Sequence, residues 1–510
     1  MTTLDLAILL LAGLGPLLIL VRRVPAPDSL VLVGCGLAST FVPGLPHVQV
    51  DPALMLGLFL PPILYAGTVR LSWHLLRHAW HTGLATGAVA AALTVGAVAL
   101  AARAVAPELS PVGAVLLGVA AALFDTRLLQ EAQGLPHLPR AMADALKARE
   151  MAARVVALAA FGAALDVLGG EAPTVAGTLG EQVWAVLAGA ATGAAVGRAA
   201  LWLRQRADPV PVEVAVSLAT PYACALLARS FDLSLAACVM AAALTVSAAQ
   251  IDEDSGAPQA SSGTRISTAA FWDVANRVLS ATLYLLAGHE LPLAVQELGR
   301  WPVWHVALVA AGSLGVIVLV QAATSWASTW FGPVARALRD RPGATRGHAA
   351  AAMAWASTRS VIGLVVALSI PATGPDGQAY AERGLVLLAA TFVVLGSGLV
   401  QGLTLNAVLR RAGLADAEQE RREEEDARRI LRDEARASHD HRRRRSHGVM
   451  SAKADRAHPS VNEHDARRRA LLALRREDRI GDAVLHRMLR EVDLHSNAEE
   501  TAEEAKAGKA

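Results

Sequence analysis

The sequence is poor in charge and in cysteine. Only 18% of its 510 residues are Asp, Glu, Lys or Arg, against 54% apolar residues, a balance too greasy for a chain that folds in water. Its three cysteines, Cys35, Cys224 and Cys238, all fall inside apolar runs. So sparse and odd a set excludes a disulfide framework, and without a Cys-x-x-Cys pair it excludes a structural zinc site. A net charge of +2 argues against a nucleic-acid partner. No Gly-x-Ser-x-Gly elbow, Walker loop or His-Glu-x-x-His occurs, so neither an enzyme such as a hydrolase nor an ATP-driven pump has support, and no cofactor is expected.

The charge that is present is unevenly placed. Residues 411–510 hold 23 of the 47 Lys and Arg and 22 of the 45 Asp and Glu. The chain therefore divides into a membrane domain, 1–410, and a charged tail, 411–510. Within the first part, runs at 4–21, 81–106, 181–203, 302–325 and 384–409 approach or exceed the roughly 20 apolar residues that span a bilayer as a helix. Shorter or interrupted runs at 29–44, 52–68, 111–124, 150–168, 212–228, 231–248, 266–288 and 349–371 bring the expectation to about thirteen crossings, an all-α polytopic fold. The first run lacks a basic start and a small-residue cleavage site, and reads as a retained helix rather than a signal peptide.

Basic residues occupy every second connection: Arg22/Arg23, Arg70/Arg77, Arg127/Arg140/Lys147, Arg204/Arg206 and Arg336/Arg339/Arg341/Arg346. Cytoplasmic loops are the basic ones, so the N-terminus is expected outside and the tail in the cytoplasm of a multi-pass protein of the inner cell membrane. Gly189, Gly193 and Gly197 form a ladder on one helix face that lets another helix approach closely. Scaffold packing is the plain expectation, and a dimer seam the alternative.

In the tail, Glu418–Arg436 reads as a solvated helix of mixed charge. A disordered linker over about 437–462 follows, holding His439, His441, His447 and Arg442–Arg445; the arginines would contact anionic lipid or simply stay solvated. A helical hairpin over about 465–494 is expected to break at Gly481-Asp482, with Asp482 as N-cap and with Leu471, Leu472, Leu474, Val484, Leu485, Met488 and Leu489 as its core.

Chemistry then rests on polar groups inside the apolar runs, where an ionisable side chain costs roughly 2.5–3.5 kcal/mol on insertion scales and is a functional candidate by default. Phe124-Asp125-Thr126 ends one run; a carboxylate beside a hydroxyl offers hard oxygen ligands for Na⁺, or a proton site. The bland alternative is a helix end where Asp125 pairs with Arg127. Glu150 and Arg154 open the next run at a spacing that puts both on one helix face, as an ordinary ion pair or, if the helix begins at Pro139, deep in the bundle. Ser357-Thr358-Arg359-Ser360 lies amid apolar residues, and an arginine there requires a partner or a wet cavity.

With these motifs in view the chain resembles the bacterial sodium/proton exchangers, relatives of the animal plasma-membrane exchangers within the monovalent cation:proton antiporter family. The resemblance runs in order through Asp51-Pro52 with Leu58-Phe-Leu-Pro-Pro-Ile-Leu64, Phe124-Asp125, Phe271-Trp272-Asp273 with Leu285-Leu286-Ala-Gly288, Trp355 to Ile362, and Val400-Gln-Gly-Leu-Thr-Leu405, and continues in the tail around Arg479-Ile480-Gly481-Asp482. It implies a thirteen-helix inverted-repeat transporter, usually a homodimer, with its ion site where two helices unwind near the midplane. Its partners would be H⁺ and an alkali cation, Na⁺ first with K⁺ or Li⁺ as alternatives, besides membrane lipid, in a role of pH homeostasis. No metal is implied beyond the transported ion.

By the same resemblance Asp125 matches the aspartate of the family's Thr-Asp-Pro signature, and Arg359 the arginine of its Leu-Arg-Gly segment. Asp125, Thr126 and Glu150 are thereby the expected ion and proton ligands, and Arg154, Arg359, Ser357 and Thr358 the groups that modulate or brace them. Three departures stand out: Phe124 and Thr126 replace Thr and Pro, Ala66 stands where a Glu is usual, and the family's essential Asn-Asp pair falls at Ala153-Arg154 or Arg154-Val155. A fixed positive charge at 154 would repel Na⁺. Either Glu150, one turn earlier, replaces the missing carboxylate, or the scaffold persists without ordinary cation exchange, as a sensor or partner-binding module acting through its tail.

Overall fold

The structure, a computed structural model, describes residues 13, 15–21, 23–24, 26–42, 51–69, 71, 83–126, 138–170, 175–204, 206, 210–249, 262–299, 301–339, 345–373, 380–414, 421–433, 459–477 and 479–507. After a helix over 15–21, the helices are α1 (Asp28–Ser39), α2 (Pro52–Thr68), α3 (Ala85–Val105), α4 (Pro111–Ala122), α5 (Arg140–Leu168), α6 (Val175–Arg204), α7 (Val210–Ser230), α8 (Leu235–Ala249), α9 (Ser262–Gln296), α10 (Val303–Ser328), α11 (Gly332–Arg339), α12 (Arg346–Trp355), α13 (Val361–Leu368) and α14 (Arg383–Ala412). The tail adds α15 (421–433), α16 (Pro459–Arg476) and α17 (Asp482–Ala507). Two short strands, β1 (Phe124–Asp125) and β2 (Thr358–Arg359), interrupt the helices.

Seven of the described helices are long and apolar enough to cross a bilayer, and every run read from hydropathy contains a described helix. The chain is a helical, polytopic membrane protein. Its helices pack in two groups. One gathers α3, α4, α5, α10, α12, α13 and α14; the other gathers α1, α2, α6, α7, α8 and α9.

Two helices differ from their expected bounds for the same physical reason. The run at 150–168 belongs to a helix that starts at Arg140, directly after Pro139, because its charged first turns find partners on other elements. The run at 266–288 continues to Gln296 and passes through Pro292. Its last turns carry His289 and Glu290, both fully buried, and Glu290 faces Arg383 at 3.5 Å.

In α2, the prolines at 61 and 62 remove two amide donors, and the helix widens to a π-turn over Met55–Phe59. Pro62 leaves the carbonyl of Leu58 without its usual helical donor, and the Tyr222 hydroxyl donates to it at 3.2 Å. The glycine ladder is used inside the chain: a Cβ at Gly193 would stand 1.9 Å from the Cys238 carbonyl oxygen of α8. That face is scaffold packing, not a dimer seam.

The tail departs from its expected form in three details, the first being that its hairpin helices, Pro459–Arg476 and Asp482–Ala507, overrun the expected 465–494 at both ends and shorten the linker. Residues 421–433 are not merely solvated, since Ala427 is fully buried and packs with Ile430 and Leu431 on the hairpin core of Leu471, Leu472, Leu474, Ile480, Val484, Leu485 and Met488. Asp482 begins α17 rather than capping it; Gly481 precedes the helix, and its amide donates to Glu423 Oε2 at 2.7 Å. This three-helix unit meets the start of α5 through Arg475–Asp144 at 3.7 Å and Arg140–Glu423 at 3.8 Å, and α17 also packs on α9. The histidines and Arg442–Arg445 of the linker lie outside the described residues.

Candidate ion-binding site

The two strands are the places where a helix gives way. α4 starts cleanly, with Pro111 in its first turn and the Ser110 hydroxyl accepting from the Gly113 amide at 3.0 Å. It stops after Ala122, where Leu123 turns extended. On the other element α12 stops after Trp355, and α13 restarts with Ser360 as N-cap, its hydroxyl accepting from the Ile362 amide at 3.3 Å. Asp125-Thr126 and Ser357-Thr358 suit these breaks, because short polar side chains compete with the helix for backbone bonds.

Unwound backbone inside a membrane has to be satisfied within the protein, and here the two breaks satisfy each other. β1 and β2 pair antiparallel, Phe124 opposite Arg359 and Asp125 opposite Thr358. The Ser360 amide donates to the Leu123 carbonyl at 3.0 Å, and the Thr358 hydroxyl to the Asp125 carbonyl at 3.3 Å. The Arg359 amide donates to Ser397 Oγ of α14 at 3.0 Å.

All seven residues singled out from the sequence are at most 9% exposed, and they fall into two sets around this crossing. Thr126 Oγ1 donates to Glu150 Oε2 at 2.9 Å, and Arg154 Nη2 donates to the other oxygen of the same carboxylate. Glu150 therefore bridges the unwound strand and the next turn of α5, and Asp125 is linked to it through its neighbour Thr126. The second set is centred on Arg359, which donates to the carbonyls of Ala121 at 2.6 Å and Ser357 at 2.9 Å. These carbonyls lie where α4 and α12 end, and a cation offsets the negative ends of both helices. Asp125 is close enough to act on Arg359 electrostatically, and Phe124 places its ring 5.4 Å from the guanidinium. Ser357 turns its hydroxyl back to the Met353 carbonyl at 3.0 Å.

One charge the sequence reading passed over is Arg149, fully buried beside this site. It donates to Thr324 Oγ1 at 2.7 Å, Ser325 Oγ at 3.0 Å and Gln321 Oε1 at 3.1 Å, all on α10. The available signal was that polar stripe, spaced three and four residues apart on an otherwise apolar helix. Among the described residues, the buried ionisable groups about the crossing include two carboxylates, Asp125 and Glu150, and three guanidiniums, Arg149, Arg154 and Arg359.

A second polar cluster lies at the far end of α4. Glu382 accepts from the Ser110 amide at 2.7 Å and its hydroxyl at 2.6 Å, a carboxylate at a helix N-terminus. Burial holds the Tyr380 phenol well above its ordinary range, so it stays protonated and donates to Glu382 Oε2 at 3.1 Å. Arg383 next to it reaches across to Glu290 of α9 at 3.5 Å and to Glu297, in the turn just after α9, at 2.9 Å.

Buried carboxylates at a crossing of two interrupted helices, inside a polytopic helical membrane protein, define a secondary transporter of the broken-helix kind. The family model described as "Sodium/hydrogen exchanger, transmembrane" matches residues 6–411, and the chain belongs to that family. It is 30% identical over 404 residues to an uncharacterized Na(+)/H(+) exchanger of Mycobacterium tuberculosis, covering 77% of this chain and 71% of that protein. It is 28% identical over 362 residues to the Na(+)/H(+) antiporter NhaP of Pseudomonas aeruginosa, covering 69% and 80%. Among solved structures it shares the fold of the sodium proton antiporter MjNhaP1 from Methanocaldococcus jannaschii, with a TM-score of 0.60 at 15% identity, over 80% of this chain and 100% of that one.

Proposed function

We propose that the chain exchanges a monovalent cation, Na⁺ before K⁺ or Li⁺, for H⁺ by alternating access, with Asp125 and Glu150 as the carboxylates that cation and proton share. The observation that carries this reading is the link from the unwound strand through Thr126 to Glu150. An alkali cation needs hard oxygen donors and a compensating negative charge, and Asp125, Thr126 and Glu150 supply both beside an opened backbone. A carboxylate that holds a proton has lost the charge that would hold the cation, so the two ligands exclude each other and their fluxes are coupled. Arg359 is permanently charged and takes no part in the proton cycle; it fixes the two helix ends.

In this reading the group of helices that carries the crossing moves against the group of α1, α2 and α6 to α9. The chain works as a homodimer in the cell membrane, with residues 1–410 as the transporting domain, the N-terminus outside and the tail, 411–510, in the cytoplasm. The alternation of Lys and Arg along the loops supports that orientation. Arg206, 4.0 Å from the Trp202 ring, and Arg346, 3.6 Å from the Trp330 ring, suit helix ends held at a membrane surface. The relatives named for Na(+)/H(+) antiport support the choice of ions.

The test is proton flux in proteoliposomes. A pulse of Na⁺ on one side should drive protons out of the other, with smaller responses to Li⁺ and K⁺, and Asp125→Asn or Glu150→Gln should abolish it. Flux that survives both substitutions places the site elsewhere.

A further inference from the structure

Arg154 occupies the ground between the two helix groups. It projects from α5, beside the crossing, while α2, which it reaches, packs chiefly on α7, α8 and α9 of the other group. One nitrogen of its guanidinium donates to Glu150. Another lies over Gly67 of α2, where an added Cβ would stand 2.9 Å from Arg154 Nη1. Gly67 sits inside the helical stretch Leu60–Thr68, so its lack of a side chain gives room rather than a special turn: it is a seat for the guanidinium. Thr126 bonds the second oxygen of Glu150, so each oxygen of that carboxylate already has a donor from this chain.

From this arrangement we infer that Arg154 is a tethered competitor of the transported cation, and that Gly67 sets how firmly it is held. The inference rests on the reading of Glu150 as an ion ligand. A guanidinium carries the same single charge as Na⁺ but cannot leave, so it holds the carboxylate in the ion-free state and swings off Glu150 when the cation binds. Only the fraction of molecules with Arg154 displaced is competent, and the apparent affinity falls by that fraction. Arg154 and Gly67 thereby set the cation concentration at which the exchanger turns on, independently of the residues that bind the ion.

The experiment titrates Na⁺ against proton flux in proteoliposomes of the full-length protein, and in parallel against thermal stability in detergent, which reports binding even in a variant that does not transport. Arg154→Met keeps the bulk and removes the charge. The half-saturating Na⁺ concentration should fall by about tenfold, the factor that a charge-assisted hydrogen bond carries. Gly67→Ala leaves every charge in place and crowds the seat; half-saturation should fall in the same direction by a smaller factor. An unchanged or raised value in Arg154→Met overturns the inference, and so does a raised value in Gly67→Ala. If flux in the wild type depends on Asp125 and Glu150 while Arg154→Met shifts nothing, the competitor is wrong and the exchanger reading stands. If flux is indifferent to Asp125 and Glu150, the exchanger site itself is wrong.

Discussion

The guanidinium of Arg359 is bonded to the carbonyl of Ala121 across 238 residues of chain, at 2.6 Å. With its second bond to Ser357 it ties together the ends of two helices that would otherwise present unpaired carbonyls inside the membrane domain. That geometry depends on the planar fork of arginine. Arg359→Lys keeps the charge but reaches one carbonyl at best, and should cost about 2 kcal/mol, the scale of a hydrogen bond to a charged group. Thermal unfolding in detergent checks it; an unchanged transition would remove Arg359 from its bracing role.

Arg383 makes a second, sharper prediction. Its partners are Glu290, on α9 of the other group, and Glu297, in the turn just after that helix, and both Arg383 and Glu290 are at most 1% exposed. Removing one member of a buried ion pair leaves the other uncompensated, at about 3–5 kcal/mol. Arg383→Met should therefore destabilise the protein more than Arg359→Lys does. The comparison is made in one detergent by the same thermal assay.

Competition at shared carboxylates fixes the direction of the pH dependence. The cation binds the deprotonated form, so raising pH should lower the half-saturating Na⁺ concentration. Where the site is mostly protonated, the fall approaches about tenfold per pH unit, because one proton leaves for each cation bound. Flux titrations at several pH values measure the slope. A half-saturation that does not move with pH would show that proton and cation use separate groups.

The tail contacts should be weak and salt-sensitive. Asp144, 3.7 Å from Arg475 and 3.9 Å from Arg140, is partly open to solvent, and such pairs carry about 0–1 kcal/mol. Asp144→Ala should leave the melting transition nearly unchanged yet loosen the docking of α15 to α17. Hydrogen exchange over residues 471–489 should speed up in the variant, and in the wild type at high salt.

What could be read ahead of the structure follows from the range of the physics involved. Apolar runs are local, so the crossings were legible, including α10 and α14 almost to their ends. The start of α5 was legible only as the alternative at Pro139, which the structure bears out, because Arg140, Asp144 and Arg149 look like loop residues until their partners appear. Asp144 meets Arg475, and Arg149 meets Thr324 and Ser325, far beyond any sequence window. Pro292 and Glu290 hid the last turns of α9 for the same reason. At the site, the types and spacing of Asp125, Glu150 and Arg154 could be read directly, and the i,i+4 relation of the last two is a property of one helix. The bond from Thr126 to Glu150 joins separate elements, and the seat at Gly67 joins separate helix groups; neither has a local signature.

If Asp125 and Glu150 hold the exchanged ions, Na⁺-driven exchange depends on both carboxylates. The most direct test is Na⁺-driven proton flux in proteoliposomes, with wild type and Asp125→Asn reconstituted at equal density. Na⁺-dependent proton movement is expected in the wild type and none in Asp125→Asn, with both proteins folded by size exclusion. Robust exchange in Asp125→Asn would contradict it.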